Sequence, residues 1–259
     1  MKVVIVMTYY ERNYQLNKTL ESFKNSHQKD IEVIVVDDDS KKEKGIHLSE
    51  FPFPVSVIKI TKEKKKWTNP EPAYNIGIAQ ALKLNPDVLI IQNAENYHVG
   101  DVISYATTVT DSLYYAYSCF SLDKENTFKE HNIEELIRAN DHRINASGQL
   151  GWYNHPRYRP NAYDFCVAVT PNNIKLLNGY DERFSNGYAM GDANLIFRVK
   201  SRLKLQVYIP LYPFVVHQWH YDFELPEHAL QLYERNKTLY FKLKNEMTFK
   251  ATHIYTDDL

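Results

Sequence analysis

Asp87-Val88-Leu89-Ile90-Ile91-Gln92-Asn93-Ala94-Glu95-Asn96 is the stretch whose reading decides the fold. Four consecutive apolar residues, mostly β-branched, follow Pro86-Asp87 and give way abruptly to polar side chains that include one carboxylate. An apolar run without polar alternation has both faces covered, the pattern of a buried parallel strand. Glu95 then falls at the carboxyl edge of a sheet, where open α/β sheets bind their ligands. It is either part of a metal and phosphate site or the polar end of a strand.

Working outward, Lys2 to Thr8 (KVVIVMT) and Ile31 to Asp37 (IEVIVVD) repeat the buried-strand pattern, and Val55 to Ile60 (VSVIKI) predicts a third strand. Between them, Leu16, Leu20 and Phe23 recur at helical spacing within Tyr14 to His27. Pro72 opens a helix to about Leu84 that carries Ala73, Ile76, Gly77 and Ala81 on one face. This order of strands and helices predicts an α/β class with a mostly parallel, doubly wound central sheet flanked by helices. Beyond it the pattern predicts a helix over Val99 to Ser112, one strand over Tyr114 to Ser121 and a short helix over His131 to Asn140. A long aromatic loop follows from Asp141 to Tyr163, then a strand over Asp164 to Thr170 and helices over Pro171 to Leu177 and Asp192 to Leu203. Gln206 to Ile209 predicts a strand, and Glu224 to Asn245 an amphipathic helix. With no repeat or Gly/Ser linker, residues 1–223 read as one continuous domain, with 224–259 as a helix and tail packed on it.

The 31 basic and 32 acidic residues among 259 give a net charge of -1, so nothing calls for nucleic acid or an anionic membrane as partner. Aromatic residues make up 14% of the chain, with 20 Tyr, which suits either an ordinary core or a site that stacks sugars and bases. Cys119 and Cys166 lie in apolar runs, as buried free thiols of a reducing compartment do. The first strand begins at Val3, leaving no room for a signal peptide, and no apolar run approaches the roughly 18 residues of a membrane helix. The expected location is cytoplasmic.

Several short motifs offer chemistry. Asp37-Asp38-Asp39-Ser40 gathers three acids at a strand end, where they need donors, a cation or water as compensation. They form either a solvated turn with an Asx cap or a carboxylate that accepts from a base N–H and a ribose hydroxyl. The Lys62 to Lys66 run reads as a solvated loop or as a loop that neutralises a diphosphate. Asn75 and Gly77 fall in the first turns of a helix, where free N–H groups favour anions and glycine permits close approach. Asp192 follows the turn Gly187-Tyr188-Ala189-Met190-Gly191 and is either a helix cap or a general base. His217 and His220, three residues apart, can complete a metal site with a distant carboxylate, of mixed ligands that suit Mn²⁺ or Zn²⁺ better than Ca²⁺. In the aromatic loop, Trp152 and Tyr153, and later Tyr188, are candidates for sugar stacking.

Taken in order, Val4-Ile5-Val6-Met7-Thr8-Tyr9-Tyr10, Val35-Val36-Asp37-Asp38-Asp39-Ser40, Asn75-Ile76-Gly77-Ile78-Ala79, the strand ending at Glu95, and Gly179-Tyr180-Asp181-Glu182-Arg183-Phe184 through Asp192 resemble the family-2 glycosyltransferases of GT-A fold. The segment from Gly179 to Leu195 is also similar to the C-terminal motif of animal galactosyltransferases. The resemblance implies an inverting transferase, hexosyl or N-acetylhexosaminyl, that moves a sugar from a UDP-sugar donor to a hydroxyl of a glycan acceptor. It implies Thr8, Tyr10 and Asp38 around the nucleoside, Asn75 and Asn93 as further nucleotide contacts, and Asp192 as the base. The family's D-x-D motif, which holds a divalent cation (Mn²⁺, or Mg²⁺), is here Asn93-Ala94-Glu95, with His217 and His220 as the remaining candidate ligands. The acid pair found before the last helix in many relatives is here Gly191-Asp192, so the base is kept and its neighbour is missing. These departures leave a second reading, a catalytically silent GT-A module that binds a nucleotide sugar or glycan. A nucleotidyltransferase would want a glycine-rich loop after the first strand, and Met7 to Arg12 has no glycine.

Overall fold

The first strand, β1 (Val3–Tyr9), is apolar throughout because both of its faces are covered. Val3, Ile5 and Met7 face a core shared with Leu16, Leu20 and Phe23 of α1 (Asn13–Phe23). The alternate residues Val4 and Val6 face a second core with Ile34 and Val36 of β2 (Ile31–Asp38). After β3 (Val55–Ile60), α2 (Glu71–Lys83) brings Ala73, Ile78 and Ala81 to that second core. The structure is a computed structural model that describes residues 1–42, 45–145, 148–220 and 228–259.

Gly77 lies where α2 crosses the sheet, and a Cβ added there would come within 2.4 Å of Val6 Cγ1 and 3.1 Å of Val36 Cγ2. The close approach expected at Gly77 is therefore between helix and sheet. A larger residue would force the layers apart, at the roughly 1–3 kcal/mol typical of an overpacked core.

β4 (Val88–Asn93) pairs in parallel with β1, placing Asn93 opposite Thr8, while Asp37 of β2 lies opposite Tyr9. Three strand ends are thus level at one edge. The chain continues through β5 (Asn96–Val99), α3 (Val102–Ala106), β6 (Leu113–Ala116), β7 (Cys119–Ser121), α4 (Lys124–Phe128) and α5 (Ile133–Asn140). Then come β8 (Gly151–Asn154), β9 (Cys166–Val169), α6 (Pro171–Leu177), α7 (Gly191–Arg198), β10 (Gln206–Tyr208), β11 (Phe214–His217) and α8 (Ala229–Asn245). The large sheet has seven strands in the order β10-β6-β9-β4-β1-β2-β3, parallel except where β9 runs antiparallel to β4 and β6. The expected mostly parallel α/β architecture is present.

A second sheet of four strands, β5-β11-β7-β8, was not legible in the sequence, and it accounts for the main differences. The single strand expected over Tyr114 to Ser121 is two, because the chain leaves the large sheet after Ala116 and enters the small one at Cys119. At the crossing, Ser118 Oγ donates to Pro210 O at 2.6 Å and its carbonyl accepts from Val215 N at 2.9 Å. The helix expected over Val99 to Ser112 shrinks to α3, since Val99 ends β5, Gly100 takes φ +75 and Asp101 caps the helix through Ser104 N. The loop from Asp141 to Tyr163 contains β8. The helix from Asp192 ends as a wider turn over Val199–Leu203, closed by Lys204 at φ +53. The expected start of the last helix at Glu224, and the boundary at 223/224, lie outside the described residues; α8 packs on the body through Asn236, whose amide donates to Phe184 O and Ala189 O.

Candidate active site

At the level strand ends opens a cavity of about 370 Å³, lined by Thr8, Tyr10, Arg12, Asp38, Asp39, Lys65, Trp67 and Tyr188 among others. Thr8, Tyr10 and Asp38, expected around a nucleoside, therefore line one cavity, and Tyr188, expected at a sugar, lines the same one. The acid triplet divides its roles. Asp37 caps its own turn, accepting from Ser40 N at 3.0 Å, whereas Asp38 accepts from Trp67 Nε1 and from Lys65 Nζ, both at 3.0 Å. Burial pushes the Asp38 carboxyl up, against the pull of Lys65. Lys65 also lies over the Tyr10 ring, 5.2 Å from its centroid, so the basic run is folded onto the cavity.

Glu95 stands in the turn between β4 and β5, 2% exposed, its carbonyl held by Gln218 N at 3.1 Å and Gln218 Nε2 at 2.9 Å. The small sheet supplies its neighbours: β11 pairs antiparallel with β5, and the register sets His217 opposite Asn96. His217 Nε2 and His220 Nε2 each come within 3.5 Å of Glu95 Oε1. Arg12 Nη1, from the loop after β1, makes a charged hydrogen bond to the same oxygen at 2.8 Å. Burial alone would raise the Glu95 carboxyl, but Arg12, His217 and His220 outweigh it and hold it well below the usual carboxylate range.

This triad fits a divalent cation. Its ligand atoms lie within 4.8 Å of one another, and the buried Glu95 Oε2 and His217 Nδ1 have no hydrogen-bond partner among the described residues. One carboxylate with two imidazoles is a borderline-hard donor set of the kind first-row divalent ions accept. Arg12 is the cation already at that carboxylate. On the far side, a cavity of about 190 Å³ is lined by Ser121, Tyr153, Trp219, His217 and His220. Tyr153 stacks on Phe165 at 4.6 Å and meets the His217 ring edge-on at 5.3 Å.

A third group of side chains is acidic: Asp192, Asp164 and Glu71. Asp192, in the first turn of α7, accepts from Ala193 N at 2.7 Å, and its carboxyl is raised by burial. Asp164 is pushed up to about 7 by burial and by Asp192. Glu71, at the start of α2, is pushed up to about 8 by burial, then by Asp164, Asp192 and Asp181. Asp192 is not the helix cap, since Met190 stands at that position without a side-chain cap bond and Asp192 accepts from the N–H of its own neighbour, Ala193.

Three expected residues behave differently. Trp152 is 2% exposed, packs edge-on to Phe120 at 5.0 Å and Phe214 at 5.8 Å, and donates from Nε1 to Asp141 O; it belongs to the core of the small sheet and has no face for a sugar. Asn75 is fully buried and its amide is spent on Tyr180 O, Tyr180 N and Glu182 Oε1, so it ties α2 to the turn at Gly179 and is out of reach of a nucleotide. Asn93 lies at the edge, but its Oδ1 accepts from Tyr74 Oη at 2.7 Å. Arg12, Glu71, Asp164 and Trp219 were missed. Each is an unremarked polar or aromatic residue whose partners come from distant segments, Arg12 and Glu95 being 83 residues apart.

Glycosyl transferase family 2 matches residues 3–159, more than half of the chain. A comparison with curated proteins finds no match. Among solved structures, Staphylococcus aureus TarS is similar over 98% of this chain and 41% of its own, at 12% identity and a TM-score of 0.58. The mannosyltransferase PcManGT from Pyrobaculum calidifontis, in complex with GDP-Man and Mn²⁺, is similar over 97% of this chain and 66% of its own, at 12% identity and a TM-score of 0.54. Glucosyl-3-phosphoglycerate synthase from Mycobacterium tuberculosis, in complex with Mn²⁺, UDP and glucosyl-3-phosphoglycerate, is similar over 92% of this chain and 79% of its own, at 11% identity and a TM-score of 0.52. At these identities the likeness concerns the fold, and the chain spans less than two thirds of TarS. The chain belongs to glycosyl transferase family 2 and has a GT-A fold.

Proposed function

We propose that this protein is an inverting glycosyltransferase that uses a nucleotide-sugar donor, a UDP-sugar, and a hydroxyl acceptor on a glycan. The observation that carries the reading is the triad of buried Glu95 and His217 with half-buried His220, beside a cavity large enough for a nucleoside. Thr8, Tyr10 and Asp38 bind the nucleoside, with Trp67 behind Asp38 holding its carboxyl in place. Glu95, His217 and His220 would hold a divalent cation, Mn²⁺ before Mg²⁺ given two imidazoles. The chemistry such a cation would supply is positive charge against that building on the leaving diphosphate. Arg12 and Lys65 add cationic charge from this chain's own residues at the same wall of the cavity. Asp192 takes the proton of the acceptor hydroxyl as it attacks the anomeric carbon. Its raised affinity for protons strengthens it as a base. Tyr153 and Tyr188 are the ring faces offered to sugars, one in each cavity.

Complexes of the similar proteins support a nucleotide-sugar donor: a fragment of TarS is solved with UDP-GlcNAc, the mycobacterial synthase with UDP and Mn²⁺, and PcManGT with GDP-Man and Mn²⁺. Among the described residues no helix is long and apolar enough to cross a membrane. The decisive experiment is transfer by Asp192→Asn against a UDP-sugar panel. Loss of turnover with unchanged UDP affinity is expected, and full retention sinks the assignment of the base.

A second reading, a silent module that binds a nucleotide sugar, draws support from Asn93 and from the guanidinium of Arg12 at Glu95. Turnover of a UDP-sugar with Mn²⁺, abolished by a chelator, decides for the enzyme; UDP binding without turnover decides for the module.

A further inference from the structure

Past α8 the chain forms neither helix nor strand, yet residues 252–256 are tied to a buried carboxylate. Glu182, 1% exposed, lies in the turn between α6 and α7. Its Oε2 accepts from three successive N–H groups, those of Ile254 and Tyr255, each at 2.6 Å, and of Thr256 at 3.3 Å. Its Oε1 accepts from Thr256 Oγ1 and from Asn75 Nδ2, the latter at 2.9 Å, and its own N–H donates to Thr252 O at 3.0 Å. Successive N–H groups turned to one point form an anion-binding concavity, and here the anion belongs to the chain itself. Burial alone would raise the Glu182 carboxyl, but the bonds from Asn75, Thr256, Tyr255 and Ile254 outweigh it and lower it.

What this clamp presents to the body is Tyr255. Its ring lies 5.5 Å from that of Trp67, inclined by 50°, and its hydroxyl accepts from Asn186 Nδ2. Trp67 is 7% exposed and donates from Nε1 to Asp38 Oδ1 at 3.0 Å. The backbone beside it is pinned as well, since the N–H groups of Thr68 and Asn69 both donate to Ser185 O at 2.9 Å. Trp67 and Asp38 line the larger cavity, whereas Tyr255 and Glu182 do not. An indole N–H holds a carboxylate in one orientation only while its own ring is kept from turning, and that restraint comes from what packs behind it. Behind Trp67 stands Tyr255, so the path from Glu182 to the cavity runs through two rings and ends at Asp38.

We propose that Tyr255, clamped by Glu182, is a positioning residue for the donor nucleotide: it fixes Trp67 and, through Trp67, the carboxylate of Asp38, from outside the cavity. The proposal rests on the reading of that cavity as the nucleoside site. Donor affinity then depends on a residue that never touches the donor. The dependence is carried by the ring of Tyr255, which packs on the indole, more than by its hydroxyl, which bonds to Asn186. It has no bearing on the Glu95, His217 and His220 triad, which none of these contacts reaches.

The test is a double-mutant cycle on UDP affinity, measured by titration calorimetry with Mn²⁺ present. Tyr255→Ala is expected to weaken UDP by about tenfold, the scale of one misplaced charged hydrogen bond, and Tyr255→Phe, which keeps the ring, to stay within about threefold of wild type. Trp67→Phe, which keeps a ring and loses the N–H, is expected to weaken UDP by about tenfold as well. The two losses should not multiply: Tyr255→Ala with Trp67→Phe is expected to bind UDP about as Trp67→Phe does, whereas independent effects would give about a hundredfold loss. Mn²⁺ affinity without nucleotide, followed by electron paramagnetic resonance, should be the same in all four proteins. In the free protein the indole N–H signal of Trp67, assigned by its loss in Trp67→Phe, is expected to shift in Tyr255→Ala while those of Trp152 and Trp219 stay in place. Should Tyr255→Ala fail to fold, Tyr255→Leu, which keeps apolar volume and loses the ring, takes its place in the cycle with the same expected outcomes. Wild-type UDP affinity in that variant, multiplying losses, a parallel fall in Mn²⁺ affinity or an unmoved Trp67 signal overturns the proposal. A wild type that does not bind UDP overturns the nucleoside reading and the proposal with it, while a wild type that binds UDP beside an unaffected Tyr255 variant removes the proposal alone.

Discussion

Glu95 and Glu71 are the same residue type, almost equally buried at 2% and 5% exposure, and they are driven in opposite directions. Glu95 has Arg12, His217 and His220 around it and is held well below the ordinary carboxylate range. Glu71 has Asp164, Asp192 and Asp181 and is pushed up to about 8. Burial opposes charge in both, so the neighbours decide the outcome: a buried carboxyl ionises where cations meet it and takes up a proton where they do not. Within the proposed function, this divides the site into a charged half for a cation and diphosphate and a neutral, proton-handling half around Asp192.

The largest expected effect comes from removing the charge on the cation side. Glu95→Gln is expected to abolish detectable Mn²⁺ binding in an electron paramagnetic resonance titration and to lower metal-dependent turnover by about 10²–10³-fold, the scale of losing one preorganised charge contact. Unchanged Mn²⁺ affinity would falsify the triad as the metal site.

Next is the proton-binding half. The folded state holds the Glu71 proton up to about pH 8, whereas the unfolded chain releases it near the ordinary value of 4.5. The folded state therefore binds more protons between those limits, and stability falls as pH rises through them, by at most ~1.4 kcal/mol per pH unit. Its contribution is complete below pH 4.5 and gone above about pH 8. Glu71→Gln, which cannot ionise, is expected to flatten the pH dependence of urea unfolding between pH 5 and 7.5 and to be more stable than wild type at the upper end. Asp164 and Asp192, raised in the same direction, leave a residual slope. A Gln variant that keeps the wild-type slope would show that Glu71 is already ionised.

The smallest effect tests the link between the halves and the metal. Arg12→Gln removes the guanidinium from Glu95, with an expected loss of about 1–2 kcal/mol at pH 7, the value of a charged hydrogen bond reduced because Arg12 is partly exposed. Because the folded-state carboxyl of Glu95 is depressed, that contribution is present above its unfolded value of 4.5 and is lost as the pH falls through its lower folded value. The gap between wild type and variant should accordingly narrow in acid. Mn²⁺ affinity should rise, since a competing cation has been removed, and a fall would show that Arg12 assists the metal instead.

How much was legible varies by element. The strands β1, β2 and β4 were readable because burial on both faces leaves an unbroken apolar run, and their level ends placed Thr8, Asp38 and Glu95 near one edge. His217 and His220 were readable as a pair because their spacing is local. Trp152 misled because an aromatic in a polar loop looks the same whether it lines a cavity or roofs a small core, and β8 made it the latter. Asn75 misled because a helix start advertises free N–H groups, while its side chain was already committed to Tyr180 and Glu182. Arg12 and Glu71 carried no signal, since their meaning comes from partners in other segments.

The stretch ending in Asn93-Ala94-Glu95 determined by itself that a parallel strand would deliver one carboxylate to a sheet edge, because hydrophobic patterning is a local property of the chain. Only the tertiary structure decided what that carboxylate meets. The small sheet pairs β11 against β5 and carries His217 to it, Arg12 reaches it from the loop after β1, and α2 places Glu71 in the space beside Asp192 that Gly191 leaves open. Charge state and ligand set depend on distances across the fold, which sequence spacing does not encode.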